Sequence, residues 1–158
     1  MDVIELITKN LSSSINKYQN ASIAVPGGTS PIKIFDELSK QKLDWSKVQI
    51  TLVDDRLVDK ENEHSNQKLI RNHLLKNEAQ ISNFIPLNKN LYKDNNFKFP
   101  LDICLLGIGN DGHFASLFPN MINNTNTLDP KSKININEIK ASGDPFLPRI
   151  SMNLPLIL

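Results

Sequence analysis

The chain has 158 residues, of which 39% are hydrophobic and 22% charged, a composition typical of one soluble globular domain and unlike that of a disordered or fibrous protein. Its formal net charge of +1 excludes a general electrostatic attraction to nucleic acid or to an anionic membrane. No stretch has the length of a transmembrane helix or the pattern of a signal peptide, so we expect a cytoplasmic protein that binds neither membrane nor nucleic acid. The single Cys104 lies in an apolar run, which predicts a small buried hydrophobic residue rather than a disulfide.

The first forty residues predict a helix, a strand and a second helix. Apolar residues recur at helical spacing over residues 2–18, and residues 21–25 form a short apolar strand. Ser30 is a good N-cap for a helix over about residues 31–40. The turn at residues 26–31 combines two glycines with two hydroxyl side chains. Such a turn suits a phosphate because free backbone N–H groups point outward, but on this signal alone a purely structural turn is the favoured interpretation.

A second predicted strand, residues 48–53, runs directly into Asp54, Asp55 and Arg56. An arginine at the end of a strand can bind a phosphate or a carboxylate through two hydrogen bonds, and its acidic neighbours could orient it. The same three residues are equally consistent with a solvated charge cluster. Ser65 then predicts the N-cap of a further amphipathic helix.

The segment that begins with the apolar run 103–106 carries most of the chemistry. The run predicts a buried strand, and three glycines follow it together with Asp111 and His113. Residues 114–118 predict a turn or two of helix that Pro119 ends. A titratable imidazole therefore lies at the carboxyl end of a strand, where open α/β sheets bind their ligands. Asp111 is also consistent with a helix N-cap, and His113 with a structural histidine.

The remaining predicted strands are short and cover residues 83–87, 134–140 and 149–154. The chain then stops in an apolar run at residues 156–158, without a cap or a polar tail. Since chain ends usually lie exposed, we expect residues 1–158 to be a single α/β domain that is incomplete at its carboxyl end. A chain of this length is then expected to be marginally stable.

Three strand-to-loop junctions, at residues 26–31, 54–56 and 107–113, carry polar residues suited to an anion. In a parallel sheet with right-handed crossovers these junctions lie along one edge, which predicts a site for a small phosphorylated substrate near a histidine. The glycines at 107, 109 and 112 also match the dinucleotide fingerprint. An aspartate inside that turn would face the pyrophosphate, however, and no βαβ unit follows, so we discount a dinucleotide. No His, Cys and carboxylate trio has metal-ligand spacing.

The chain resembles the family of 6-phosphogluconolactonases and glucosamine-6-phosphate isomerases at these same junctions. The matching pieces are PGGTSP at 26–31, DDR at 54–56, SN at 65–66, GIGNDGHFASLFP at 107–119 and PRISMNL at 148–154. The fourth piece favours the lactonase branch, because the isomerases continue after the histidine toward Asn-Glu-Pro. The resemblance implies an α/β fold with an open, largely parallel sheet and helices on both faces.

For this chain the resemblance implies hydrolysis of 6-phosphoglucono-δ-lactone to 6-phosphogluconate in the oxidative pentose phosphate pathway, without a metal or an organic cofactor. His113 would activate the attacking water as general base, and Asp111 would orient the imidazole or organise the turn. Backbone N–H groups of the loop glycines would stabilise the oxyanion. The residues expected to hold the phosphate are Gly27, Gly28, Thr29, Arg56 and Arg149.

Two alternative functions stay open. In an aldose–ketose isomerase of the same superfamily, Asp54 would be the base that abstracts a proton; the other alternative is a non-catalytic domain that binds a sugar phosphate. The chain also departs from the family pattern, which usually has Glu where Asp55 stands. Family members continue beyond residue 158 with a Gly-x-x-Lys motif associated with the substrate phosphate. The sequence leaves the oligomeric state open.

Overall fold

The computed structural model of the chain describes residues 2–93, 97–123 and 126–158. Its strands are β1 (Ala21–Val25), β2 (Val48–Leu52), β3 (Asp54–Arg56), β4 (Asn83–Phe84), β5 (Ile103–Cys104), β6 (Ile136–Ser142) and β7 (Leu147–Met152). Its α-helices are α1 (Val3–Tyr18), α2 (Ile32–Leu38), α3 (Asn66–His73) and the single turn α4 (Leu154–Ile157). Within the described ranges, β4, β2, β1 and β5 form a parallel sheet in that order, and β3, β7 and β6 form an antiparallel one. The predicted α/β class with a parallel sheet is confirmed.

The central strand β1 pairs with β2 on one side and with β5 on the other, and all of its residues are buried. Helix α1 packs against this strand, with Ile7, Leu11 and Ile15 buried at the helical spacing that the sequence shows. Asp2 caps the helix by accepting a hydrogen bond from the Glu5 N–H at 2.8 Å. The predicted first helix and first strand are therefore confirmed. Over the ranges that the structure describes, no helix is both long and apolar enough to cross a membrane.

Helix α2 begins later than predicted. Ser30 does not cap it; Pro31 is the N-cap residue and makes no side-chain capping bond. The carbonyl of Thr29 accepts a hydrogen bond from the Ile32 N–H at 3.3 Å, so the chain turns once more before the helix starts. The buried face of α2, with Phe35 and Leu38, agrees with the prediction.

The apolar run 103–106 is not the buried strand that its composition predicts. Only Ile103 and Cys104 belong to β5, both are half-buried, and Leu106 is exposed. The reason is topological, because β5 lies at the edge of the parallel sheet and β1 alone pairs with it. Burial nevertheless raises the pKa of the Cys104 thiol to about 11, as expected for an inert side chain.

The predicted helix over residues 114–118 is absent from the described structure. Phe114 and Leu117 instead exchange backbone hydrogen bonds of 3.4 and 2.9 Å, and Ala115 between them has a φ of 49°. This tight turn replaces a helical one. Pro119 does not end a helix but begins the 3-10 helix Pro119–Met121, where a missing N–H costs nothing.

The chain passes from the parallel to the antiparallel sheet through one residue. The predicted strand 48–53 ends at Leu52, and Val53 then donates its N–H to the Val25 carbonyl at 3.0 Å while its own carbonyl accepts the Met152 N–H at 2.9 Å. The predicted strands 134–140 and 149–154 form the hairpin β6–β7, whose second strand pairs with β3. The predicted strand 83–87 is reduced to the two residues of β4.

A half-buried ion pair ties the amino ends of β1 and β5 to helix α1. Asp102 accepts hydrogen bonds from the Ser22 N–H at 2.7 Å and from the Ser14 hydroxyl at 2.6 Å. Lys98 contacts the same carboxylate, and both side chains are at most 17% exposed. Helix α1, strand β1 and the segment before β5 therefore meet at this one carboxylate.

We expect Asp102→Asn to lower the free energy of unfolding at neutral pH by about 2–4 kcal/mol, because it leaves the Lys98 ammonium without a counter-charge. Burial alone would raise the pKa of Asp102, but the hydrogen bonds from Lys98, Ser14 and Ser22 together hold it below its ordinary value. A carboxyl with a depressed folded pKa stabilises above its unfolded pKa and loses that contribution as the pH falls through the folded pKa.

Urea titrations of the wild type and the variant test this expectation. The difference between them should be large at neutral pH and should shrink as the pH falls through the depressed folded pKa of Asp102. Glu37→Gln, which changes an exposed carboxylate on α2, is the matched control. It should leave the free energy of unfolding unchanged at neutral and at acidic pH. A difference that stays the same at both pH values would assign the loss to packing instead of charge.

Candidate active site

A cavity opens where the three predicted junctions meet, at the carboxyl ends of β1, β2 and β5. It is lined by Pro26, Gly27, Gly28, Ser30, Asp54, Arg56, Asn66, Gly107, Ile108, Gly109, His113, Ala115 and Arg149. The convergence expected of a parallel sheet is therefore present. In the part of the chain that the structure describes, no group of three or more His, Cys, Asp or Glu side chains is placed to hold a metal ion.

The glycine turn after β1 forms one wall of the cavity. Gly28 has a φ of 82°, a conformation that side chains rarely adopt. A Cβ on Gly27 would lie 1.8 Å from Oδ1 of Asn66, so only glycine fits there. Of the two hydroxyl residues in the turn, Ser30 lines the cavity and Thr29 lies exposed beside it. Both glycines of the predicted phosphate site thus line the cavity, whereas Thr29 does not.

His113 is held by two contacts. Its Nδ1 lies 2.5 Å from Oδ1 of Asp111, and its ring stacks on Phe118 with the centroids 4.8 Å apart. An ionised carboxylate can only accept a hydrogen bond, so Nδ1 carries the proton and Nε2 is left as the acceptor. The hydrogen bond from His113 lowers the pKa of Asp111, which keeps the carboxylate ionised. Asp111 does not itself line the cavity, and because the described structure has no α-helix between Asp111 and β6, the N-cap alternative is wrong.

The loop that carries this pair is closed by its own backbone. The Gly109 N–H donates to the His113 carbonyl at 2.8 Å, and the Gly112 N–H donates to the Gly109 carbonyl at 2.9 Å. Gly112 has a φ of 85°. These two N–H groups are used inside the loop, so the expectation that they stabilise an oxyanion is wrong for both.

We expect Gly109→Ala to lower turnover by about 10²-fold, because a displacement of about 1 Å can cost that much. A Cβ on Gly109 would lie 2.3 Å from the His113 ring and 2.7 Å from Oδ1 of Asp111, so the pair must move. Gly107→Ala is the matched control in the same loop, since a Cβ there meets nothing within 4 Å. Similar turnover in both variants would show that the position of the His–Asp pair is unimportant.

Arg56 is held by groups other than its acidic neighbours. Its Nη1 donates to the His64 carbonyl and to Oδ1 of Asn66, both at 2.9 Å. Asp55 instead accepts the backbone N–H groups of Arg56 and of the first residues of α3, including Asn66 at 2.7 Å. The expectation that the acidic neighbours orient the guanidinium is therefore wrong for Asp55, whose pKa is raised by burial. Among the described residues, Nε of Arg56 is buried without a hydrogen-bond partner, and the residue itself lines the cavity.

Arg149 lies directly across from Arg56 in the β3–β7 ladder and is only 3% exposed. Its Nε donates to the Ser142 carbonyl at 2.9 Å, and its guanidinium lies 5.6 Å from the centroid of the Phe118 ring. Burial and the neighbouring Arg56 lower its pKa. Across the described ranges, neither arginine forms an ion pair within 4.0 Å. Two adjacent guanidinium groups without a carboxylate partner favour an anionic ligand.

Asp54 is the buried carboxyl of the cavity. It is 5% exposed and lies 2.5 Å from the Ser116 hydroxyl. Burial raises its pKa, against the hydrogen bond from Ser116 and the positive charge of the nearby arginines. Burial of this kind makes ionisation less favourable than for an exposed carboxyl. Sequence reasoning considered Asp54 as an acidic neighbour of Arg56 and as the base of the isomerase alternative, and it missed the contact with Ser116.

The comparison with known proteins agrees with this geometry. The model of the family "Glucosamine-6-phosphate isomerases/6-phosphogluconolactonase" matches residues 1–158. The chain is 38% identical over 144 residues to the 6-phosphogluconolactonase of Rhizobium meliloti, covering 84% of this chain and 62% of that protein. It is 35% identical over 162 residues to the 6-phosphogluconolactonase of Helicobacter pylori J99, covering 96% of this chain and 69% of that protein.

The fold is also similar to that of a solved structure. The crystal structure of a 6-phosphogluconolactonase from Shewanella baltica has a TM-score of 0.82 and 31% sequence identity, covering 98% of this chain and 70% of that one. The chain thus spans roughly two thirds of the length of these relatives. Because the family model covers every residue, the chain belongs to the family of glucosamine-6-phosphate isomerases and 6-phosphogluconolactonases.

Proposed function

We propose that this protein hydrolyses 6-phosphoglucono-δ-lactone to 6-phosphogluconate, a step of the oxidative pentose phosphate pathway. The observation that carries the proposal is a fixed imidazole and two arginines without ion-pair partners on the walls of one cavity. A phosphorylated lactone needs both, because one end must be bound as an anion and the other attacked by water. The named relatives support the lactonase branch.

In the proposed reaction, Nε2 of His113 takes a proton from a water molecule as the water oxygen bonds to the lactone carbonyl carbon. The tetrahedral intermediate then collapses, the bond to the ring oxygen breaks, and His113 returns the proton to that oxygen. Asp111 stays ionised throughout and stabilises the imidazolium that forms between the two steps. General base and acid help of this kind contributes about 10²–10⁴-fold.

The phosphate of the substrate is proposed to lie between the glycine turn and the arginine pair. Gly27 and Gly28 present backbone to the cavity, and Ser30 adds a hydroxyl that can donate a hydrogen bond. Arg56 and Arg149 supply the positive charge from β3 and β7. Oriented in this way, the substrate places its lactone end toward His113.

A second candidate is an aldose–ketose isomerase of the same family, in which Asp54 abstracts a proton. The observation that favours it is the raised pKa of Asp54, because a base titrating nearer to neutral pH is more effective than an ordinary carboxylate. A sugar-phosphate-binding domain without turnover is the third candidate.

The proposal also places the protein in the cytoplasm. It treats residues 1–158 as one domain, since one core cluster spans both sheets.

Three assays on the full chain separate these functions. Lactone hydrolysis above the spontaneous rate supports the proposal. Conversion of glucosamine 6-phosphate without lactone hydrolysis would support the isomerase. A rise in melting temperature with 6-phosphogluconate, without turnover of either substrate, would support the binding domain.

A further inference from the structure

Asn66 is a buried polar residue of the cavity to which the proposed reaction gives no role. It is the first residue of α3, is 2% exposed, and lines the cavity beside the glycine turn. Its backbone N–H donates to Asp55 at 2.7 Å, which fixes the start of the helix against β3. Its side chain extends from the helix into the wall of the cavity.

The side-chain amide of Asn66 has one orientation that fits its surroundings. Its Nδ2 donates to the Asp54 carbonyl at 2.9 Å, and its Oδ1 accepts from Nη1 of Arg56 at 2.9 Å. A guanidinium can only donate and a carbonyl can only accept, so a reversed amide would lose both hydrogen bonds. The amide therefore holds the Arg56 guanidinium at a defined distance from the backbone of β3.

The same amide sets the position of the glycine turn. The three atoms nearest to a Cβ built on Gly27 all belong to Asn66, at 1.8 to 2.4 Å. The backbone of Gly27 thus packs directly on the amide. One side chain is in contact with both of the elements that are proposed to bind the phosphate, the turn after β1 and Arg56.

We propose that Asn66 is a positioning residue that holds Arg56 and the Gly27 turn in register for a phosphate group. The proposal rests on the proposed function for the identity of the substrate, but the phosphate contact can be tested without it. Asn66 acts through Arg56 and the turn, so its removal weakens anion binding more than it slows the chemical step.

Isothermal titration of the full chain with inorganic phosphate and with 6-phosphogluconate tests this directly. Asn66→Ala should weaken both ligands about tenfold, the size expected for one hydrogen bond to a charged group. Gluconate, which has no phosphate, should bind as it does to the wild type. Gln67→Ala is the matched control on the same helical turn, because Gln67 contacts Asp55 through a backbone N–H that alanine keeps.

A double-mutant cycle distinguishes positioning from general destabilisation. Because Asn66 is proposed to act partly through Arg56, Asn66→Ala should cost clearly less phosphate affinity in an Arg56→Ala background than in the wild type. In steady-state assays Asn66→Ala should raise KM about tenfold and change kcat by less than about threefold. Fully additive losses, or equal losses for gluconate and 6-phosphogluconate, would overturn the proposal.

Gly27→Ala examines the same contact from the other side and leaves α3 unchanged, so it stays informative if Asn66→Ala does not fold. Its Cβ overlaps the Asn66 amide, and we expect phosphate affinity to fall about tenfold. Asn66→Ala removes the three atoms nearest to the new Cβ. In that background Gly27→Ala should therefore reduce phosphate affinity by less than it does in the wild type. An unchanged phosphate affinity in Gly27→Ala would overturn the proposal.

The outcome for Asn66 is separate from that for the proposed function. Phosphate binding that depends on Asn66, in a protein that does not hydrolyse the lactone, would refute the lactonase function alone. Lactone hydrolysis with phosphate affinity unaffected by Asn66→Ala would refute the positioning role alone. A wild-type protein that binds neither phosphate nor 6-phosphogluconate would overturn the positioning role as well.

Discussion

His113→Asn is expected to lower kcat for lactone hydrolysis by about 10²–10⁴-fold, the contribution of a positioned general base. Asparagine fills much of the space of the imidazole but has no group that can accept a proton from water at neutral pH. The histidine is also the only part of the His113–Asp111 pair that lines the cavity. The affinity for 6-phosphogluconate and the melting temperature should stay close to those of the wild type.

The chain supplies a matched control for this substitution. His73 on α3 also has its Nδ1 beside an aspartate, at 3.1 Å from Oδ1 of Asp36, but it lies outside the cavity. His73→Asn should therefore leave kcat unchanged. Stopped-flow or pH-indicator assays corrected for spontaneous hydrolysis measure both variants. If His113→Asn retains activity within a fewfold of the wild type, His113 is not the base.

Arg56→Ala is expected to weaken phosphorylated ligands by about 1.5–3 kcal/mol, the usual contribution of a hydrogen bond to a charged group. That range corresponds to roughly 10- to 150-fold in Kd. Asp55 keeps its hydrogen bonds from the backbone N–H groups of Asn66 and Gln67 in the variant, so the connection between β3 and α3 should survive. Gluconate, which lacks the phosphate, should lose much less affinity.

Arg71→Ala is the control for Arg56→Ala. Arg71 lies on α3 and contacts Glu61 at 3.4 Å near the protein surface. Its removal should therefore change the affinity for neither 6-phosphogluconate nor gluconate. Calorimetry with 6-phosphogluconate and gluconate measures the selectivity for phosphate. Equal losses of both ligands in Arg56→Ala would mean that Arg56 is structural or contacts the lactone end.

Local patterns predict the elements whose contacts are local or repeat with a regular period. Helix α1 and strand β1 agree with the sequence because a long apolar stripe and a short apolar run determine them. The prediction of a buried strand over 103–106 is wrong because composition does not reveal that β5 lies at the edge of the sheet. Residues 114–118 mislead for another reason, because the backbone pairing of Phe114 with Leu117 overrides their helical propensity.

The residues of the site also fall into those that the sequence predicts and those that it does not. His113, Arg56 and the two glycines of the first turn follow strands directly, so the parallel topology alone predicts that they meet at the cavity. Asp54 lies 62 positions from Ser116, and no pattern in either segment indicates that their side chains touch. In the sequence Asn66 stands out only as the residue after an N-cap serine and as part of the matching piece at 65–66. Its contacts with Gly27 and Arg56 depend on how α3 packs.

The single-residue passage between the two sheets has an energetic consequence. Val53 is bonded to Val25 in one sheet and to Met152 in the other, while the two walls of the cavity belong to different sheets. A ligand that reaches from the glycine turn to Arg149 therefore bridges two sheets that also share one core cluster. Its binding free energy resists their separation, adding about 2.7 kcal/mol to the stability of the fold at a concentration of about one hundred times Kd.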